Sequence, residues 1–128
     1  LGSNIFYVAT NYGLGFAENA LGDMYLWRAP LIINTKVCNN LKGEKNFTPS
    51  ALMRSLESSL KRLKVEKVNT LFLHNPRDEI KDYHPIENLM SDLKSEGLIE
   101  KSGISVAKGH FYEKLPRLAC VQFDCTLL

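Results

Sequence analysis

Six side chains with catalytic potential come at, or just after, the ends of apolar runs: Tyr7, Tyr12, Lys36, His74, Ser105 and Gln122. A phenol titrates near ~10, which is too high for it to donate a proton readily at neutral pH. A nearby ammonium stabilises the phenolate and lowers that value. A histidine can orient a carbonyl oxygen or relay the proton. A tyrosine, a lysine and a histidine at one edge of a sheet therefore suggest general acid chemistry.

The stretch that delivers the histidine is Thr70-Leu71-Phe72-Leu73-His74-Asn75-Pro76. A short apolar run without alternation, closed by turn residues, is typical of a strand that is buried on both faces. Parallel sheets covered by helices bury their strands in this way. The carboxyl ends of such strands are where α/β folds place their chemistry.

Similar strands are expected at 5–9, 31–37, 102–106 and 119–123, and helices at 16–27, 48–63, 84–97 and, as a short turn, 111–115. Thr48-Pro49 is a strong helix start, because threonine caps the first turn and proline is accepted in it. Gly97 is the expected stop of the next helix. Five strands that alternate with helices predict an α/β fold with a parallel sheet and right-handed crossovers.

The composition describes an ordinary globular chain of 128 residues, 45% hydrophobic and 23% charged, with a net charge of +2. We expect a single domain over residues 1–128. Basic residues are interleaved with acids, so no nucleic-acid footprint is evident. Three cysteines without a C-x-x-C pair argue against a metal site and favour a reducing compartment. No apolar stretch approaches the ~20 residues of a membrane span, and no signal peptide is evident. The prediction is a cytoplasmic protein without membrane association.

Five motifs follow one another in the order and spacing of a known family. They are Tyr7-Val8-Ala9-Thr10-Asn11-Tyr12-Gly13-Leu14-Gly15-Phe16-Ala17-Glu18; Thr35-Lys36-Val37; Ser59-Leu60 with Leu63, Val65, Val68-Asn69 and His74; Leu93-Lys94 with Gly97, Ile99 and Gly103-Ile104-Ser105; and Val121-Gln122. Together they make the chain resemble the aldo-keto reductases, whose first motif runs D-T-A-x-x-Y-G-x-G-x-x-E. The likeness covers nearly the whole chain.

The resemblance implies a (β/α)8 TIM barrel, a nicotinamide cofactor, NADP(H) or NAD(H), and the reduction of a small-molecule aldehyde or ketone to an alcohol. By position, Tyr12 would be the acid, Lys36 its electrostatic helper and His74 the residue that orients the substrate. Ser105 and Gln122 would contact the nicotinamide carboxamide.

The chain departs from the family pattern in three ways. Tyr7 stands where the family has the aspartate that pairs with the lysine, and Val106 stands where an asparagine is expected. Losing the carboxylate partner of a buried charge typically costs ~3–5 kcal/mol of stability. Without that partner, Lys36 would also polarise Tyr12 less well. The strands correspond to the second through the sixth of the barrel, so we expect an incomplete barrel of about five parallel strands. Its open edges fit part of a longer protein, an oligomer that covers them, or a decayed copy.

These departures leave two alternatives to the reductase. One is a catalytically impaired or non-catalytic relative that serves as a binding or regulatory domain. The other is a different (β/α) barrel that handles sugar phosphates. Tyr7 is expected to serve only in packing, in the barrel interior. Glu18 is expected either on a helix surface or in contact with the cofactor.

Overall fold

Five parallel strands, each hydrogen-bonded to the next in chain order, form the sheet that positions the candidate site. The computed structural model describes residues 4–25, 31–76, 78–107 and 120–124. Its elements are β1 (Ile5–Tyr7), α1 (Phe16–Tyr25), β2 (Ile32–Val37), α2 (Pro49–Leu63), β3 (Val68–His74), α3 (His84–Ser95), β4 (Ile99–Ala107) and β5 (Cys120–Asp124). The predicted alternation of strands and helices in an α/β fold is confirmed.

One face of the sheet is covered by the helices. Its side chains on β2, β3 and β4 belong to the same hydrophobic cluster as the buried residues of α2 and α3: Ile33, Val37, Leu71, Leu73, Ile104 and Val106 pack with Leu52, Leu56, Ile86 and Met90. Burying each such side chain stabilises the fold by about 1.5–3 kcal/mol. We call this the outer face, because helices lie outside the strands in a β/α barrel.

The opposite, inner face carries the residues between those positions, because side chains alternate along a strand. The registers Tyr7↔Asn34, Lys36↔Phe72 and His74↔Ser105 place these residues on that one face. Phe72 is buried there without belonging to the outer cluster. The Tyr7 ring lies 6.4 Å from the Phe72 ring, centroid to centroid. The inner face therefore holds the polar residues that the sequence singles out.

The helix ends follow the chemistry of their residues. The side chain of Thr48 accepts a hydrogen bond from the backbone N–H of Ala51 at the start of α2, as predicted. Lys64 closes α2 in the left-handed conformation (φ 56°). Gly97, with φ 76°, follows the end of α3 and provides the stop expected there.

The strand bounds differ from the prediction in a systematic way. β3 and β4 begin two to three residues earlier than expected, at Val68 and Ile99. Glu100 and Lys101 in β4 are exposed, so their charge hid the start of the strand. β1 ends at Tyr7, before Val8 and Ala9. The helical turn predicted at 111–115 lies outside the described residues.

Candidate active site

A phenol and an ammonium meet at the carboxyl end of the sheet. Lys36, near the end of β2, donates from Nζ to the hydroxyl oxygen of Tyr12 at 2.9 Å. The same nitrogen lies 4.8 Å from the centroid of the Tyr12 ring. Lys36 is only 2% exposed, whereas Tyr12 is 39% exposed. The ammonium is therefore held beneath an accessible phenol, at the oxygen where negative charge develops when a phenol gives up its proton.

The loop that carries Tyr12 is a tight turn between β1 and α1. Its backbone bonds include Tyr12 N–H to the Ala9 carbonyl at 3.2 Å and Ala17 N–H to the Tyr12 carbonyl at 3.3 Å. Gly13 and Gly15 adopt φ values of 60° and 89°, which glycine reaches without steric cost. The two glycines thus allow the chain to turn directly after the tyrosine.

Lys36 forms no ion pair with any carboxylate among the described residues. Tyr7 occupies the inner face where the resemblance placed an acid, and it is 55% exposed. The expectation that Tyr7 packs in an interior is therefore only half right. The residue is on the inner face, but its edge-strand position leaves the ring largely open. The Tyr12 hydroxyl and ring are the described partners of the buried ammonium.

His74 completes the cluster from the end of β3. Its ring lies edge-on to the Tyr12 ring, with centroids 6.0 Å apart and planes at 87°. His74 Nδ1 is 3.2 Å from Nδ2 of Asn39, a buried residue just after β2. The structure therefore brings Tyr12, Lys36 and His74 together at one end of the inner face. Sequence reasoning missed Asn39, although a polar residue at or just after the end of an apolar run was the signal used for the others.

The predicted cofactor residues lie on the two following strands. Ser105 is fully buried and pairs in register with His74. The backbone of Gln122 pairs with Ser105, while its side chain lies outside the described part of the structure. Val106 belongs to the outer hydrophobic cluster. The position next to Ser105 therefore offers no amide to the inner face.

A polar network lies behind the site, on the outer side of β2. Glu18 of α1 is fully buried, and its two carboxylate oxygens accept from Thr35 Oγ1 at 2.6 Å and from Arg62 Nε at 2.8 Å. Arg62 reaches Ser59, whose hydroxyl lies 3.2 Å from Thr10 Oγ1. Glu18 was expected on a helix surface or at a cofactor, and its full burial shows that the surface expectation is wrong. It joins α1, α2 and β2 instead.

Thr10 connects this network to the site. Its hydroxyl donates to the carbonyl oxygen of Lys36 at 3.3 Å, and its backbone nitrogen lies 3.4 Å from the same oxygen. The loop two residues before Tyr12 is therefore bound to the backbone of Lys36, whose side chain contacts Tyr12.

Cys38 is buried next to this part of the chain. Burial raises the pKa of its thiol to about 12, which makes that thiol unreactive at neutral pH.

The described residues contain neither a metal-binding cluster nor a membrane-spanning helix. No group of three or more histidine, cysteine, aspartate or glutamate side chains there could hold a metal ion. Within the same ranges, each helix falls short of the length and apolar character required to traverse a bilayer.

Comparison with known proteins identifies the relatives of this chain. The chain is similar in structure to an aldo-keto reductase from Bacillus halodurans in its holo form (26% identity, TM-score 0.71, 82% of this chain and 37% of that one). It is also similar to an aldo-keto reductase from Klebsiella pneumoniae in complex with NADPH (26% identity, TM-score 0.62, 79% and 34%). A glycerol dehydrogenase from Gluconobacter oxydans shares the fold (23% identity, TM-score 0.74, 94% and 40%).

The present chain spans between 34% and 40% of these structures, so its sheet is an incomplete form of their barrel. No curated protein sequence matches it significantly. The sequence profile of the Aldo/keto reductase family matches residues 1–128, the whole chain. The chain belongs to the aldo-keto reductase family.

Proposed function

We propose that this chain forms the carbonyl-reducing part of an NAD(P)H-dependent oxidoreductase that converts aldehydes or ketones to alcohols. Membership of the family supports the reaction class. The single observation that carries the proposal is the 2.9 Å contact between Lys36 Nζ and the Tyr12 hydroxyl, with the His74 ring 6.0 Å from the Tyr12 ring.

The proposed roles follow from burial and charge. Tyr12 is accessible and gives its proton to the substrate oxygen, since a positioned acid contributes about 10²–10⁴-fold to such a step. Lys36 stabilises the resulting phenolate by holding its positive charge at the phenol oxygen. His74 hydrogen-bonds the carbonyl oxygen and orients it towards Tyr12. The substrate is a small-molecule carbonyl compound, and we place the reaction in the cytoplasm.

The nicotinamide cofactor, NADP(H) or NAD(H), would supply the hydride when bound. The donor set at Ser105 fits a carboxamide, because a hydroxyl both donates and accepts hydrogen bonds and Ser105 adjoins His74 in register. Gln122, next to Ser105 on β5, would offer a second group of the same kind. Val106 contributes nothing there, since its side chain packs on the outer face. The residues present therefore fit the cofactor with one amide contact fewer than the family pattern.

The test measures the loss of NAD(P)H absorbance with a panel of aldehydes and ketones, in the natural polypeptide that carries this sequence. Tyr12→Phe is expected to lower kcat by about 10²–10⁴-fold, since it removes the proton donor. Tyr7→Phe removes a hydroxyl from an exposed tyrosine on the same face and serves as the matched control. Equal activity of the Tyr12→Phe variant and the unsubstituted protein would refute the assignment.

A second pair of variants addresses the lysine. Lys36→Met should lower kcat strongly, whereas Lys101→Met changes an exposed lysine on the inner face of β4 and should have little effect. Tyr7→Asp supplies the carboxylate that the family pattern has at this position. If the unsubstituted protein is inactive with saturating cofactor and Tyr7→Asp restores turnover, the natural chain has lost its catalysis and the proposal fails.

A further inference from the structure

Asn39 contacts the imidazole of His74 from a position that no motif includes. The residue lies two positions beyond β2, is buried, and places Nδ2 3.2 Å from His74 Nδ1. Its carbonyl oxygen Oδ1 is buried and has no hydrogen-bond partner among the described residues. The same residue lines a cleft of about 530 Å³ between the loop after β2 and α2.

The backbone explains how Asn39 reaches the inner face. Lys36 points to the inner face and Val37 to the outer cluster, so simple alternation would send the next side chain inward and Asn39 outward. Cys38 instead adopts φ 78° and packs in the outer cluster. This left-handed residue breaks the alternation and returns Asn39 to His74. A bridge to Lys45 fixes the backbone of Asn39 in place.

The direction of the hydrogen bond between Asn39 and His74 Nδ1 decides whether the other ring nitrogen, Nε2, carries a proton. The amide nitrogen only donates, so the ring nitrogen facing it must be bare, and a neutral imidazole then carries its proton on Nε2. A rotated amide would accept from Nδ1–H and leave Nε2 bare. The rotated form would also place the amide nitrogen and its two protons at the buried position where Oδ1 has no partner among the described residues. An unpaired carbonyl oxygen is the more readily tolerated of the two defects.

We propose that Asn39 is a positioning residue that holds His74 in its Nε2–H form, so that His74 donates a hydrogen bond to the substrate oxygen. The inference rests on the proposed function for the substrate, but the state of the ring can be measured without turnover. Asn39 acts through His74 and touches no reacting atom.

The experiment records the imidazole ¹⁵N spectrum at a pH where His74 is neutral. The chain has three histidines, so His84→Gln and His110→Gln variants assign the His74 signals. The expected spectrum of the unsubstituted protein has a bare Nδ1 and a protonated Nε2. A proton on Nδ1 in that spectrum overturns the proposal. This outcome does not depend on whether any Asn39 variant folds.

Asn39→Asp reverses the hydrogen bond at constant shape, because a carboxylate only accepts. We expect a proton to appear on His74 Nδ1 in this variant. Asn19→Asp makes the same chemical change on the exposed side of α1 and should leave the spectrum unchanged. An Asn39→Asp spectrum identical to that of the unsubstituted protein, with near-UV circular dichroism confirming the fold, also overturns the proposal.

The activity arm separates this inference from the proposed function. In an active protein, Asn39→Asp should lower kcat about tenfold while KM changes less, since the ring no longer presents its proton in the transition state. An unsubstituted protein without turnover refutes the proposed function, while the ring spectrum still decides the role of Asn39.

Discussion

Replacing Glu18 by glutamine tests whether the buried network behind the site stabilises the fold. Glu18 is fully buried, and its ion pair with Arg62 has an N–O distance of 2.8 Å. Removing one partner of a buried pair costs ~3–5 kcal/mol, because the other charge remains buried. Arg62 is 17% exposed, so water relieves part of this cost, and we expect a loss of about 2–4 kcal/mol. Glutamine can still accept from Thr35 with its one carbonyl oxygen, but its NH2 group then faces Arg62, so the variant loses the charge and the hydrogen bond from Arg62 together.

The assay is urea unfolding, in which the loss appears as a lower midpoint at an unchanged slope. Asp23→Asn is the matched control, because the Asp23–Lys64 pair also joins the α1 and α2 segments but is 68% and 46% exposed. Exposed pairs contribute about 0–1 kcal/mol. The double variant Glu18→Gln/Arg62→Met should recover part of the loss, since no unpaired charge remains. Equal, small effects of Glu18→Gln and Asp23→Asn would refute the reasoning.

Two further predictions concern packing and pH. Gly22→Ala should destabilise the protein by about 1–3 kcal/mol in the same assay, because an added Cβ would lie 2.3 Å from the Arg62 carbonyl oxygen; an unchanged midpoint would show that α1 and α2 separate freely. The Cys38 thiol has a pKa of 9.0 in the unfolded chain, and burial raises its pKa to about 12 in the folded protein. Between these two values the unfolded state loses its proton while the folded state keeps it, so this residue should lower the free energy of unfolding by about 1.4 kcal/mol per pH unit above pH 9. Cys38→Ala should remove this part of the slope, and an identical slope in that variant would contradict the assignment.

The order of the elements could be predicted because each depends on local chemistry. The apolar run before His74 and the Thr48-Pro49 cap are readable from neighbouring residues alone, and both are found in the structure. The amino ends of β3 and β4 were placed too late. The polar Asn69 near the start of β3 and the exposed charges of Glu100 and Lys101 near the start of β4 interrupt the apolar pattern. Strand ends at the solvent side of a parallel sheet are therefore the least readable part of this chain.

The candidate site divides in the same way. Tyr12, Lys36 and His74 were found because each lies at or after the end of a strand and matches a motif, and the structure brings them together. Their catalytic roles stay predictions. Asn39 could not be assigned, because its direction depends on the left-handed φ of Cys38, and no residue preference signals that conformation in a cysteine.

Glu18 and Arg62 could not be paired from the sequence either, since 44 positions separate them and each looks like an ordinary helix-surface charge. Their pairing nevertheless bears on the site. The chain of contacts from Arg62 through Ser59 to Thr10 ends at the carbonyl oxygen of Lys36. The packing of α1 against α2 therefore helps to fix the loop of Tyr12 relative to the lysine. Because the ammonium must stay at the phenol oxygen to stabilise its charge, residues that touch neither the phenol nor the ammonium help to set the geometry on which the proposed chemistry depends.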